Sequence, residues 1–358
     1  MEQILATIMK TFRLKGGAVY FQPYGSGHIN TTYLLITEDG GGGAHKYIVQ
    51  RINDRIFRDI DKLMSNIAAV LDHLSRKGGR NLSYVKTADG GSYLSHASGF
   101  YRVYDFIDDS TTVQIVDDPA LFARAGRAFA DFQNKLSDFD ASRLYPVIAD
   151  FHNTRKRFEA FRASSERDIC GRAVETVREI SFVKAREAYS DVFIGLIENG
   201  GLPLRVTHND TKINNVLFDN AGGGDVVIDL DTVMPGVTGY DFGDSVRFGC
   251  NTAAEDEPDL SLVHFDMRLF EAFASGYLKA AADITETERE TLAFSAILMT
   301  YECGMRFLTD YLDGDLYFKT ARPRHNLDRA RTQFKLVAEM EQSLEIMQGT
   351  IARISELP

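Results

Sequence analysis

Cysteine is scarce, with three residues in 358, at Cys170, Cys250 and Cys303. They lie far apart and match no CxxC or zinc spacing, so a zinc module is excluded. An odd, sparse count fits a reducing compartment. No apolar run is long enough to span a bilayer. The opening MEQILATIMKTFRLKGG has no basic stretch followed by an apolar one of signal length. These absences predict a soluble, cytoplasmic protein. Basic residues are also in deficit, 40 Lys+Arg against 51 Asp+Glu, for a formal net charge of −11. A surface of that sign repels nucleic acid and anionic membrane as a whole. Any phosphate-bearing ligand must then be held by a local site. There is no internal repeat, no disordered linker and no sign of an obligate protein partner.

What is present is a change of character along the chain. The first third reads as strands with little helix. A short amphipathic helix over 3–13 precedes a strand at Val19–Pro23. Two β-rich runs, Asn30–Thr37 and Lys46–Ile52, flank Gly40–Gly43 as a hairpin. Residues 59–76 place Ile60, Leu63, Met64, Ile67, Val70, Leu71 and Leu74 at helical spacing. LSYVKTADGGSYLSH and GFYRVYDFID are further strand candidates. Asp118 before Pro119 marks a helix start, an N-cap acceptor followed by a residue whose missing N–H does no harm there. From here the chain is mainly helical, apart from a loop-and-strand block over 205–231. A last long helix is expected over 326–347. The boundary near residue 110 reads as a hinge between two lobes.

Three pieces carry chemistry. HNDTKINN sets Asp210 five residues before Asn215. VVIDLD ends an apolar run on Asp229 and Asp231. YGSGHIN, from Gly25 to Asn30, is a glycine-rich turn between strands. A hydroxyl attacking a phosphoryl group needs a carboxylate to orient it and take its proton. The phosphate needs a metal held by oxygen ligands. Strands at Asn215–Phe218 and Val226–Asp229, joined through Gly222–Gly224, would bring an amide oxygen and a carboxylate together, with Asp210 nearer the acceptor. This is the logic of the kinase catalytic loop, H-x-D-x-x-x-x-N, and its metal-binding aspartate. Gly25 and Gly27 let backbone N–H groups approach phosphate oxygens. His208 holds the loop in shape, and Asp241 and Asp244, near Arg247, are read as braces.

With THNDTKINNVLFD, VVIDLDTVMPG and YDFGDSVRFG in view, the chain resembles the aminoglycoside phosphotransferase / choline kinase superfamily. The resemblance runs nearly end to end, through YGSGHINTTYL, AGRAFADFQNKLSDFDASRL, ECGMRFLTDYLDGDLYF and NLDRARTQFKLVAEMEQ. It implies a two-lobed, protein-kinase-like α+β fold. Residues 1–107 would form a small antiparallel-sheet lobe and 108–358 a larger, mostly helical one, with ATP and Mg2+ as cofactors. Asp210 would be the catalytic base and touch the acceptor. Asn215 and Asp229 would bind magnesium, with Asp231 behind them or on a second metal. Gly25, Gly27 and Asn30 would serve the nucleotide, and Asp105 to Ile107 would offer backbone groups to adenine. The C-terminal blocks are similar to those of members that phosphorylate the anomeric hydroxyl of N-acetylglucosamine or N-acetylgalactosamine. On that resemblance Arg306 and Tyr317 are acceptor ligands, Asp310 orients them, and Thr232 lies near the sugar.

Two features depart from the kinase pattern. The strand that should carry a phosphate-gripping lysine reads KYIVQRIN, which leaves Gln50 or Arg51 in that place. The partner glutamate is missing too, since no Glu occurs between Glu38 and Glu159. Asp59 or Asp61 can substitute if Arg51 is the contact; Gln50 is the favoured one. Competing functions are a kinase of a choline-like amine, homoserine or an aminoglycoside, and a non-catalytic nucleotide-binding protein. Arg306 suits a neutral sugar better than a cation.

Overall fold

The computed structural model describes residues 2–25 and 29–356. In chain order the first elements are α1 (Glu2–Thr11), β1 (Gly17–Pro23), β2 (Thr31–Glu38), β3 (Ala44–Ile52), α2 (Ile60–Lys77), β4 (Leu94–His96), β5 (Gly99–Asp105) and β6 (Ser110–Thr111). Then come α3 (Pro119–Lys135), α4 (Thr154–Arg167), α5 (Val177–Lys184), α6 (Tyr189–Glu198), β7 (Arg205–Thr207), β8 (Val216–Asp219), β9 (Val226–Val227) and β10 (Met234–Gly236). The chain ends with α7 (Thr238–Gly249), α8 (Met267–Ala280), α9 (Glu286–Leu312) and α10 (His325–Ser355). It divides into two compact units. One comprises Met1–Thr111, Ser142–Ala149 and Leu217–Met234; the other holds the remainder. No helix among the described residues is long and apolar enough to cross a membrane.

The first unit is built on an antiparallel five-stranded sheet of order β1-β2-β3-β5-β4. Strand alternation sorts its residues by face. Leu35, Tyr47, Val49, Tyr101 and Val103 point one way and form a core with Ile8 and Phe12 of the α1 segment. Burying each such side chain contributes about 1.5–3 kcal/mol. The other face carries two cross-strand rows, Leu34–Ile48–Tyr104 and Thr32–Gln50–Arg102. Against this unit packs α2, started by Asp59, whose side chain accepts from the Lys62 amide at 3.0 Å. Its buried stripe is the expected one, with the addition of Asn66. That amide donates to the carbonyls of Tyr145 and Val233 and accepts from the Tyr145 amide. It thereby ties α2 to both later segments of the unit. β8 and β9 form the expected hairpin, with β6 on its edge. β9 is shorter than the sequence suggests and ends at Val227. The LSYVKTADGG stretch yields only isolated bridges, Tyr84 with Tyr104 and Phe12 with Thr87.

The second unit is helical. α3 lies on α8 and α7 on α9 at short range. A Cβ on Gly276 would collide with the Ala123 carbonyl, and one on Gly243 with the Ser295 carbonyl. α9 begins with a capping box, Thr285 and Glu288. The same Glu288 pairs with Arg205 of β7 at 2.6 Å and accepts from the Thr238 hydroxyl at 2.7 Å. β7 and α7 are thus anchored to one helix end on either side of the loop that follows β7. α10 runs to Ser355, beyond the expected end at 347.

Candidate active site

The HNDTKINN stretch leaves β7 as a loop and closes in a short 3-10 turn, Ile213–Asn215, that leads into β8. Its backbone is held from behind by α7. Asp241 accepts the amides of His208 and Asn209 at 3.0 and 2.7 Å, and Gln133 donates to the same carboxylate at 2.7 Å. Asp244 accepts the Thr211 amide at 3.0 Å and is paired with Arg247 at 2.8 Å. Both acids are buried. Their expected part as braces is borne out. His208 is also buried, edge-on to Phe129 and Phe132, and its Nδ1 accepts from the Asp210 amide at 3.3 Å. Asn209 has a φ of 64°, a left-handed conformation that turns the chain just before Asp210.

Asp210 is half-buried. Lys212 lies 2.9 Å from its Oδ1, and the Asn215 amide nitrogen donates to the Asp210 carbonyl at 2.8 Å. Burial pushes the Asp210 pKa up. The charge and hydrogen bond of Lys212, with His208 and Arg247 further off, outweigh it and hold the carboxyl below its usual range. Asp210 is therefore an ionised carboxylate beside a fixed ammonium. Asn215 donates through Nδ2, and its Oδ1 is the acceptor end of the amide. Lys212 is a partner of Asp210 that sequence reasoning passed over. Its signal was in plain view, a lysine two residues beyond the acid on the same loop.

In the first unit, Asp229 follows β9 in a left-handed conformation, φ 60° and ψ 59°. Non-glycine residues hold such angles only where their surroundings over-determine them. The segment after it is moored. Asp231 is buried and ion-paired with Arg102, which is also buried, and its Oδ2 accepts from the Asn30 amide at 2.6 Å. Asn30 in turn accepts the Asn53 amide at 3.0 Å. Thr232 is buried beside Asp231. Burial works against the Arg102 charge, but Asp231 more than restores it, and its pKa is raised. Arg102 also donates twice to Gln50 Oε1, at 3.0 and 2.8 Å, while Gln50 Nε2 donates to Thr32 at 3.2 Å. Gln50 therefore shares a face with Arg102. Arg51 projects from the other face, is exposed, and donates to the Ser98 carbonyl at 2.7 Å. The arginine on the Gln50 face of the sheet is Arg102, one strand over on β5.

Of the remaining nucleotide candidates, Gly25 has a φ of 74° that only glycine adopts without strain. Gly27 lies outside the described residues, as does His28. The Asp105 and Phe106 amides are already bonded to the Ser83 and Lys46 carbonyls. The Ile107 carbonyl accepts from Ser110 at 2.7 Å.

On α9, Arg306 and Asp310 do not form the ion pair that i, i+4 spacing permits. Asp310 is buried and accepts the amides of Leu316, Tyr317 and Phe318 at 2.9, 2.8 and 3.0 Å, and that of Asn326 at 2.9 Å. It fixes the turn after the helix, where Gly314 has a φ of 101°. Tyr317, on that turn, is exposed. The Arg306 guanidinium lies over the rings of Phe151 and Phe318, 5.2 and 5.6 Å from their centroids. Nearby, buried Glu302 holds His152 at 2.8 Å and Thr154 at 2.6 Å, and His152 Nε2 contacts the Asn209 carbonyl at 3.2 Å. A hydrogen-bonded path thus links α9 to the residue before Asp210. Neither His152 nor Glu302 had a sequence signal, because their partners are distant in the chain.

This kinase-like α+β fold and the H-x-D-x-x-x-x-N loop agree with comparisons of sequence and structure. The model of the phosphotransferase enzyme family APH matches residues 21–290, and the chain belongs to that family. Its structure is similar to an aminoglycoside phosphotransferase from Alicyclobacillus acidocaldarius, at TM-score 0.57 and 17% identity, over 93% of this chain and 92% of that one. It is similar to a choline kinase from Cryptosporidium parvum, at TM-score 0.57 and 14% identity, over 98% and 97%. It is also similar to an amicoumacin kinase in complex with AMP-PNP and Ca2+, at TM-score 0.59 and 13% identity, over 96% and 93%. At such identities the likeness is one of fold.

Proposed function

We propose that the protein is an ATP-dependent kinase that transfers the γ-phosphate to the anomeric hydroxyl of an N-acetylhexosamine, N-acetylglucosamine or N-acetylgalactosamine. The observation that carries the reading is the Asp210 carboxylate, kept ionised by Lys212 and braced through its backbone by Asp241 and Asp244. In this reading Asp210 accepts a hydrogen bond from the acceptor hydroxyl, orients it and takes its proton as the new O–P bond forms. Lys212, beside Asp210, would also meet negative charge on the transferred group.

Within the helical unit Asn215 would offer an amide oxygen and within the sheet unit Asp229 a carboxylate, each a hard oxygen donor of the kind that Mg2+ takes beside water and phosphate oxygens. When bound, the metal would neutralise charge on the β- and γ-phosphates. Asp231, engaged by Arg102 and Asn30, is better suited to fix the Asp229 segment than to ligate. Gly25, Gly27 and Asn30 would line the phosphate side, and Asp105 to Ile107 the adenine edge. Among those last three, the Ile107 amide is the best-placed donor, since the other two amides are committed. Gln50 would act with Arg102 behind it. On the acceptor side, Arg306 and Tyr317 would donate to sugar oxygens, Asp310 would hold Tyr317 in place, and Thr232 would close the metal end. A neutral acceptor is supported by the setting of Arg306, a cation on two aromatic rings.

Asp210→Asn tests the assignment. Turnover should fall by roughly 100- to 10,000-fold, while ATP binding by calorimetry stays within a factor of a few. Retention of most activity would remove Asp210 from the role of base.

A further inference from the structure

One peptide unit of the catalytic loop is gripped at both ends by a histidine. The bond between Asn209 and Asp210 presents its N–H to His208 Nδ1 at 3.3 Å and its carbonyl to His152 Nε2 at 3.2 Å. Asn209 is left-handed, with a φ of 64°, a conformation that needs its surroundings to hold it. His152 lies just before α4. It is buried against the rings of Phe151 at 4.5 Å and Tyr240 at 4.9 Å. Its Nδ1 faces Glu302 Oε1 at 2.8 Å, and the other oxygen of that carboxylate accepts from the Thr154 hydroxyl at 2.6 Å. Burial pushes the Glu302 pKa up, but His152, Thr154 and the Arg306 charge outweigh it and hold the carboxyl below its usual range. Glu302 is therefore ionised and can only accept, as can the Asn209 carbonyl. A ring that meets an acceptor at each nitrogen needs a proton on each, so His152 satisfies both partners only as an imidazolium.

We propose that His152, as an imidazolium held by Glu302, is a positioning residue for Asp210: it fixes the Asn209–Asp210 peptide and with it the direction of the carboxylate. The inference rests on Asp210 being the base, as proposed above, and His152 acts through the loop rather than on the substrate. The charges around the ring oppose one another. Glu302 favours the charged form, while burial, Arg306 of α9 and Arg157 of α4 work against it. Asp241 of α7 accepts the Asn209 amide, Asp210 follows it in the chain, and the Tyr240 phenol stays neutral because burial, and then Glu302, raise its pKa. Once the second proton is gone, the ring has one N–H for two acceptors. The charged carboxylate keeps it, and the Asn209 carbonyl loses its donor.

His152→Phe keeps a ring in the stack and removes the donor. With N-acetylglucosamine as acceptor, kcat should fall roughly tenfold or more, the worth of a hydrogen bond from a charged group, while ADP binding by calorimetry stays within a factor of a few. In wild type, kcat should fall as pH rises and the imidazolium is lost. Glu302→Gln gives a reading that a merely structural role would not move. The glutamine amide can donate to Nδ1, which leaves a neutral ring free to donate from Nε2 to Asn209, so the alkaline fall in kcat should disappear. An alkaline limb that Glu302→Gln leaves in place, or a wild type without one, would overturn the proposal. NMR of the ring nitrogens reads the same state without turnover, with the His152 signals identified by their absence in His152→Phe. Both nitrogens should carry a proton in wild type at neutral pH, and only Nε2 in Glu302→Gln. A single N–H in wild type overturns the imidazolium whatever Asp210 does. Retained activity in Asp210→Asn overturns the base whatever the ring does, so the two failures are read apart.

Discussion

Asp210 owes its state to one neighbour. Burial alone would raise its pKa, and Lys212 at 2.9 Å reverses the sign. A carboxyl whose folded-state pKa is depressed stabilises the fold above its unfolded pKa and loses that contribution as pH falls through the lowered value. The same titration should set the acid limb of kcat/KM. In Lys212→Met the burial effect is opposed only by the more distant His208 and Arg247, so that limb should move to higher pH by about one unit or more. A pH–rate profile checks this, and an unmoved limb would separate Lys212 from the base. On β3, Gln50 faces Arg102 while Arg51 faces away. Gln50→Ala should raise the ATP KM more than Arg51→Ala does, and steady-state titrations showing the reverse order would move the phosphate contact to Arg51. The motif singled out Asp210, Asn215 and Asp229 by their spacing. Arg102 was not legible, because its meaning lies in cross-strand register with Gln50 and in an ion pair across 129 residues of chain.

At the scale of elements, α7 acts as the splint of the catalytic loop. Three loop amides end on two of its acids, and the Ser245 hydroxyl donates to the Thr211 carbonyl at 2.9 Å. Asp241→Asn cannot accept from both the His208 and Asn209 amides, since one of its two terminal atoms becomes a donor. The lost bond in a buried site should cost about 1–3 kcal/mol of stability, read as a lower melting temperature, and kcat should fall more than the ATP KM changes. Equal melting and equal kcat would mean that the loop holds its own shape. Some helix positions were legible from periodicity, as for α2 in the sheet unit, whose expected stripe is the buried one. Boundaries were less so. β9 stops at Val227 because Asp229 must leave the strand in a left-handed turn, a demand of the site that no alternation of residues announces. The Arg306–Asp310 spacing suggested an ion pair, yet three backbone amides after Gly314 outbid the guanidinium for that carboxylate.

For the whole molecule, a chain with a net charge of −11 must gather its positive charge locally to handle phosphate. Arg102 sits within the sheet unit and Lys212 within the helical one. Membership of the phosphotransferase family agrees with the kinase-like fold. It leaves the acceptor open, since structures of the same fold include a choline kinase and an amicoumacin kinase. In the proposed function the acceptor is read by side chains outside the shared motif, Arg306 and Tyr317. The most direct test of the proposed function is to incubate the protein with ATP, Mg2+ and a panel of sugars and amines, follow ADP release, and locate the product phosphate by NMR. The expected result is turnover of N-acetylglucosamine or N-acetylgalactosamine with the phosphate on the anomeric oxygen. Turnover confined to amine acceptors, or a sugar phosphate at any other position, would contradict it.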